Sequence, residues 1–474
     1  MNRCSHNLWA ILAPVVFAAC LLTSVPAFGA EGDSEASARG VAAAEAGWGR
    51  LGEDSFVNLR LKLGYRFELP QIACEDEEPD GCQTELRLGA QAPLRLRAVD
   101  RGARDSSLLR EADWDEPSDY LRIVRLVEYG RPSEPLHAKI GELGPVSMGH
   151  GSIVNDYYNV ITVDHYQMGL TGELSTAYGG VELMLDNVVS PSVMGARASV
   201  RPWAFVDRDS FWSRVAIGAT VASDIDAPTA LAAEADQPES VVDQTYNPIV
   251  TDSQSTGLFG VDVEVSLLEE ERFGLVPYAD FNTHSSLGSG LHVGTFASVR
   301  PIDSLELVSQ LEYRRLGQNY LPSYVGPLYE IDRFQFAGWG QHLPAPKVRV
   351  AASLDGQPAH GGYGSLTANV DELFGLTAAY ADHQGPANQM VRLHASAQPI
   401  DRLQMGLFYY KHSFEGLSEA FDIDGALAVG EARLGIYGPL YALGSYGRMW
   451  RIQEDGAYGS IDDWNVGLGV AMGL

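Results

Sequence analysis

Between Phe56 and Leu69 the chain reads FVNLRLKLGYRFEL. Val57, Leu59, Leu61, Leu63, Tyr65, Phe67 and Leu69 share one parity, and Asn58, Arg60, Lys62, Gly64, Arg66 and Glu68 share the other. A period of two is the period of a β-strand, which here has one wholly apolar face and one charged face. Two arginines and a lysine do not face a dry core, and seven apolar residues in line do not face water. A wall with lipid on one side and water on the other accommodates both. A tilted strand of about 9–11 residues is enough to cross a bilayer. A long strand of a soluble sandwich is the competing reading of this stretch alone, and repetition of the pattern argues against it.

The pattern recurs to the last residue. From Thr84 to Ala98, Leu86, Leu88, Leu94 and Leu96 oppose Glu85, Arg87, Gln91, Arg95 and Arg97. Phe259, Val261, Val263, Val265 and Leu267 alternate with Gly260, Asp262, Glu264 and Ser266. Tyr120–Tyr129 reads as a strand with a bulge at Ile123-Val124. Residues 329–342 and 346–354 also read as strands, and 136–141 as a short one. In all, 21 segments carry the signature. Single-chain bacterial barrels have even strand numbers, so the expectation is an all-β, antiparallel transmembrane barrel of about 20 strands, within 18–22. Tight connectors at Arg300-Pro301-Ile302-Asp303, Gln398-Pro399-Ile400-Asp401 and Tyr437-Gly438-Pro439 alternate with longer Gly- and Asp-rich loops. That is the asymmetry of an outer-membrane barrel, with short periplasmic turns and longer extracellular loops.

Residues 1–30 read as a cleaved export signal: Arg3, an apolar core from Leu8 to Leu22, and Ala27-Phe28-Gly29 as the small-x-small site. Residues 31–55 read as a periplasmic linker and 56–474 as the barrel. Losing the signal takes the basic residues from 33 to 32 against 62 acidic ones, a net charge of −30. So acidic a chain is a poor partner for nucleic acid. Cys74 and Cys82 remain after cleavage, and in an exported chain the expectation is a disulfide that staples one acidic loop.

Trp464, Val466, Leu468, Val470, Met472 and Leu474 form a strand that is apolar at every second residue. This resembles the C-terminal strand of bacterial outer-membrane proteins, with Leu474 where an aromatic residue is usual. The resemblance implies recognition by the barrel-insertion machinery. Across residues 56–474 the architecture resembles the porin-like barrels of Gram-negative outer membranes. It implies contact with outer-membrane lipid and lipopolysaccharide, and passage of small hydrophilic solutes or ions. Neither catalysis nor a cofactor is expected.

The lumen-facing parity then supplies the candidate pore residues: basic Arg60, Lys62, Arg66, Arg87, Arg95 and Arg97 on the early strands, acidic Asp262 and Glu264 with Glu306 and Glu312 later. Separated ladders of opposite charge would set a transverse field. The segment Gly144–Asn159 breaks the rhythm, and His150, Asn155, Asp156 and Tyr157 mark it as a candidate constriction loop. Residues 222–256, rich in Asp and without Lys or Arg, read as a second long loop. Two other functions fit such a chain. One is a closed-lumen barrel serving as anchor or adhesin. The other is a rim-sited hydrolase built on His150 and Ser152.

Overall fold

The computed structural model describes residues 39–70, 83–100, 107–114, 119–132, 134–161, 166–234, 240–243, 247–285, 287–336, 345–353, 357–371, 373–385, 388–453 and 456–474. The expected export signal and the Cys74–Cys82 pair lie outside the described residues.

Twenty antiparallel strands close into one barrel. In chain order they are β1 (Gly40–Leu51), β2 (Asp54–Pro70), β3 (Gln83–Val99), β4 (Val124–Tyr129), β5 (Leu136–Gly141), β6 (Gly169–Thr176) and β7 (Gly179–Leu185). Next come β8 (Val193–Val200), β9 (Val215–Leu231), β10 (Val250–Val265), β11 (Phe273–His284), β12 (Ser289–Ile302), β13 (Leu305–Leu316) and β14 (Ala359–Val370). The ring ends with β15 (Phe374–His383), β16 (Gln389–Ile400), β17 (Leu403–Phe414), β18 (Leu427–Tyr437), β19 (Leu440–Ile452) and β20 (Tyr458–Gly473). The short strand Leu268–Glu270 continues β10 along β11 after a two-residue break. Pairing of β1 with β20, from Val41 opposite Gly473 to Arg50 opposite Trp464, closes the ring.

The alternation in β2 has the expected consequence. Leu61 and Leu63 are 58% and 51% exposed on the outside, while Arg60, Lys62 and Arg66 border the lumen. Leu183, Val221, Val261, Leu311, Leu366, Leu407 and Val466 repeat the outward apolar face around the ring. A band of this kind is a lipid-facing surface. The tight connectors at 303–304, 401–402 and 438–439 share one rim, as expected, and so do the end of β2 and the start of β3. The opposite rim carries the longest connections: 100–123, 142–168, 232–249 and 317–358.

Four sequence expectations change. Gly40–Leu51, placed in the linker, is the strand that closes the barrel. Its outward positions are Ala42, Ala44, Ala46 and Trp48, and its lumen side holds Ala43, Gly47 and Gly49, so small residues on both faces mute the alternation. Small size is required there, because a Cβ on Gly47 would lie 2.7 Å from the Val466 carbonyl oxygen. Residues expected as strands at 329–342 and 346–354 instead contain the helices α1 (Tyr329–Gln335) and α2 (Lys347–Ser353). Both lie in the connection between β13 and β14, where no strand partner is available. The loop expected at 222–256 shrinks to 232–249, because β9 and β10 continue as a paired ribbon through Asp224–Leu231 and Val250–Thr256. The start of the strand expected at Tyr120 is a 3-10 turn over Asp119–Ile123, with β4 beginning at Val124.

The wall has uneven height. β2, β3 and β9 have 17 residues each, whereas β4 and β5 have 6. β4 pairs with β3 only from Leu86 to Ala90. Above that, the edge of β3 is met by Leu108–Arg110, with Arg97 N donating to Leu108 O at 2.7 Å and Arg110 N to Arg95 O at 3.1 Å.

Candidate functional site: a charged lumen and its inner plug

A cavity of about 1980 Å³ occupies the lumen. It extends from Arg39, Asp303, Asp371 and Asp401 near one rim to Arg50, Leu51 and Asp463 toward the other. Its walls differ in charge. Between Arg39 and Glu142, 11 arginines and lysines border it against 4 carboxylates; over the rest of the chain the counts are 4 and 9. Arg60, Lys62, Arg66, Arg87 and Arg95 all lie on the basic side.

The strand pleat puts these bases in line, and each is held by a neighbouring acid. Glu45 of β1 takes Arg60 at 3.1 Å and Lys62 at 2.7 Å. Glu128 takes Arg87 at 2.8 Å. Asp113, fully buried, takes Arg95, Arg110 and Arg122 at 2.6, 2.7 and 3.1 Å, three guanidiniums on one carboxylate. Lys139 borders the cavity too, and no ion pair of its ammonium is resolved among the described residues. Arg97 does not border the cavity: it pairs with Asp54 at 3.1 Å and covers Phe56. Glu306 borders it and meets Arg300 at 2.8 Å. Asp262, Glu264 and Glu312 face inward but do not border the cavity: His150 of the plug meets Glu264, while Asp262 pairs with Arg197 of β8 and Glu312 with His292 of β12 and Arg314 of β13.

That plug begins with the 142–168 connection, which crosses the lumen. The His150 ring nitrogens meet Asp280 of β11 at 2.8 Å and Glu264 of β10 at 2.9 Å, and its ring stacks on Tyr278 at 4.0 Å. Its carbonyl accepts from Gln310 Nε2 of β13 at 2.8 Å. Gly149 and Gly151, at φ +57° and +80°, bend the backbone around this anchor. Asp156 reaches Arg392 of β16, and Tyr158 packs edge-on against Phe408 of β17. The segment returns to β4, where Tyr166 donates to Val124 O at 2.8 Å. Asn159 pins its two arms, accepting from Leu143 N at 2.8 Å and donating to Gln167 O at 3.0 Å, and it also donates to Asp186 O at 2.9 Å.

The 317–358 connection docks on this segment. Asn155 N donates to Val325 O at 2.9 Å, and Val325 N to Ile153 O at 3.1 Å. Tyr157 donates to Glu330 of α1 at 2.5 Å. From α1, Arg333 and Tyr329 bind Asp224 of β9 at 3.0 and 2.9 Å, while Gln335 bonds Trp450 O and Ile452 N of β19. β9 and β19 stand ten places apart in a ring of twenty, so α1 ties opposite walls together.

Burial alone would discharge His150, but its hydrogen bonds to Asp280 and Glu264 prevail and raise it from 6.5 to about 10. Burial, then the neighbouring Glu330, push Asp186 in the 186–192 connection up to about 7. His150, Asp262 and Asp280 bring ligand-type atoms within 4.8 Å of one another. Both imidazole nitrogens already face carboxylates, however, and Asp262 holds Arg197 at 2.7 Å. This is an ion-pair clamp. It also leaves His150 without a free nitrogen to act as base toward Ser152, the pair on which a hydrolase reading rests.

Of the four residues marking the constriction loop, His150, Asn155, Asp156 and Tyr157, each contacts a different partner, and the structure brings them together only as one strap across the lumen. Sequence reasoning missed their partners Asp280, Arg392 and Glu330, and also Arg197, Asp332 and Lys347, which belong to neighbouring buried pairs. Arg197 had left a trace, as the one charge among small and apolar neighbours in VMGARASV.

No protein-family model matches the sequence, and no curated protein matches it. Among solved structures, the chain is similar to the outer membrane protein OpdK from Pseudomonas aeruginosa, at 9% identity and a TM-score of 0.34, covering 91% of this chain and 98% of that one. It is also similar to OccK11 (OpdR) of Pseudomonas aeruginosa, at 10% identity and 0.34, covering 92% and 96%. A BenF-like porin from Pseudomonas fluorescens Pf-5 matches at 8% identity and 0.34, covering 93% and 99%. At these scores the likeness adds nothing to the closed barrel that the β1–β20 pairing establishes by itself.

Proposed function

We propose that this barrel is an outer-membrane channel for small hydrophilic solutes or ions, with the short-turn rim toward the periplasm and the long-loop rim outside. Passage is passive and biased toward anions. The observation that carries this reading is the charge division of the cavity, 11 bases to 4 acids on one wall and 4 to 9 on the rest, in a chain of net charge −29. Rings and ladders of fixed charge are the ordinary device of ion selectivity, and a low-dielectric wall focuses their field on the aqueous path. Glu45, Glu85, Glu128 and Glu142 hold the bases in place without cancelling them.

The test is conductance of the refolded protein in a planar bilayer under a salt gradient. Discrete steps with an anion-selective reversal potential are expected. Changing Arg60, Arg87 and Arg95 together to Ala moves the reversal potential toward cations. A folded protein that gives no steps overturns the channel. It would favour the closed-lumen anchor or adhesin, a reading that rests on the strap of 142–168 and on α1 binding both β9 and β19. A reversal potential unmoved by the triple change overturns the role given to the basic wall.

A further inference from the structure

Lys347, the first residue of α2, is only 5% exposed. Its ammonium is boxed by three aromatic rings, with centroids at 4.8 Å for Phe336, 5.3 Å for Tyr324 and 5.4 Å for Tyr329. The nearest carboxylate oxygen belongs to Asp332, at 4.0 Å, and that carboxylate already meets His412 Nε2 at 3.2 Å. Among the described residues, Nζ makes no hydrogen bond.

That combination is chemically lopsided. A lysine ammonium has three N–H donors and is strongly hydrated. Nearly buried, with its nearest carboxylate oxygen 4.0 Å away, it gives up most of that hydration for little in exchange. Ring faces within about 6 Å attract a cation through their quadrupoles, yet they replace none of the lost hydrogen bonds. The cage therefore answers the charge and leaves the donors unanswered. A fully methylated ammonium has the charge and no donors, and its methyl groups pack on ring faces.

We propose that Tyr324, Tyr329, Phe336 and Asp332 form a binding site for a small methylated ammonium ion, and that Lys347 is its internal tenant, displaced when the solute binds. Two further observations support this. Burial pushes Lys347 from 10.5 down to about 8, so the tenant is held at a cost in stability. The long-loop rim around the plug is acidic, with Glu234, Asp243, Glu415, Glu419, Asp422 and Asp424 all exposed, a field that concentrates cations at this mouth. Binding at the cage is measurable without transport, so the inference and the channel reading fail separately.

The experiment is calorimetric titration of the refolded full barrel with tetramethylammonium chloride, against sodium chloride of the same ionic strength. Lys347→Ala vacates the cage and should bind at least about tenfold more tightly than the wild type. Adding Phe336→Leu should weaken binding again. A Lys347→Ala protein that shows heat-modifiable migration but no saturable binding overturns the site, as does binding indifferent to Phe336→Leu. If Lys347→Ala does not fold, the wild type decides. Its affinity should rise between pH about 7 and about 9.5, as Lys347 gives up its charge. Absent or pH-independent binding there overturns the proposal.

Discussion

The basic wall and the plug use similar residues under different rules. In β2, Arg60 and Lys62 point into a wet cavity, are partly exposed, and share one acid, Glu45. In the plug, Arg333 and Lys347 are nearly buried and lie among aromatic rings, with Asp224 and Asp332 as their counter-charges. A charge beside water can lose its partner and be rehydrated. A charge inside the plug cannot. The wall is accordingly held by its strand ladder and lipid-facing surface, with its charges bordering the cavity. The plug is held by its close pairs, such as Arg333 with Asp224, and Lys347 is the charge it holds at a cost.

The largest effect that would sharpen this contrast comes from Arg333→Ala, which strands Asp224 beside Tyr329. Breaking a buried pair from one side costs about 3–5 kcal/mol. The loss should appear as local opening, read by hydrogen exchange of α1 and of the 142–168 segment, with the strand amides still protected. If the strands lose protection together with α1, the wall depends on the plug and the contrast fails. Next is Leu61→Arg, on the outer face of the wall. It should cost about 2–4 kcal/mol near the bilayer midplane, measured as a shift in denaturant unfolding in vesicles, with plug exchange unchanged beforehand. An effect below about 1 kcal/mol would remove Leu61 from the lipid-facing band.

The smallest is a pH effect at the His150 clamp. The folded pKa is raised from 6.5 to about 10. The stability it contributes is therefore fully present below about 6.5 and declines as pH rises through about 10. Lys347, lowered to about 8, changes in the opposite sense: its burial penalty lifts as it deprotonates. The stability difference between wild type and His150→Gln isolates the clamp. That difference should shrink from pH about 7 to about 10, and a flat difference would show that His150 is not held as a cation.

How much of this was legible in the sequence follows the same division. β2 declares itself because each of its faces has one chemistry and the information is local. β1 does not, because Ala and Gly on both faces satisfy a crowded seam without leaving a contrast to read. The helix α1 was misread because Tyr329, Ile331 and Arg333 alternate with acidic Glu330 and Asp332, mimicking a strand, whereas inside the lumen every side of the helix is covered. The lysine cage is built from positions 324, 329, 332, 336 and 347, which no local period in the sequence relates and which come together only in the folded barrel. The 142–168 strap was recognisable as a break in rhythm, but its partners on β10, β11, β13 and β16 are set by the ring.

The unequal heights of the strands have a consequence for the membrane itself. Six residues at about 3.3 Å each, tilted about 45°, rise about 14 Å, so β4 and β5 alone fall well short of a hydrocarbon core about 30 Å thick. β2, β3 and β9 cover it comfortably. Lipid next to this sector thins, the cylinder leans toward it, or the exposed Leu108, Leu109, Tyr120 and Ile123 complete the apolar surface that the strands do not supply. The molecule therefore has a front and a back in the plane of the bilayer. Its neighbours, whether lipids or other barrels, are sorted by the side on which they arrive.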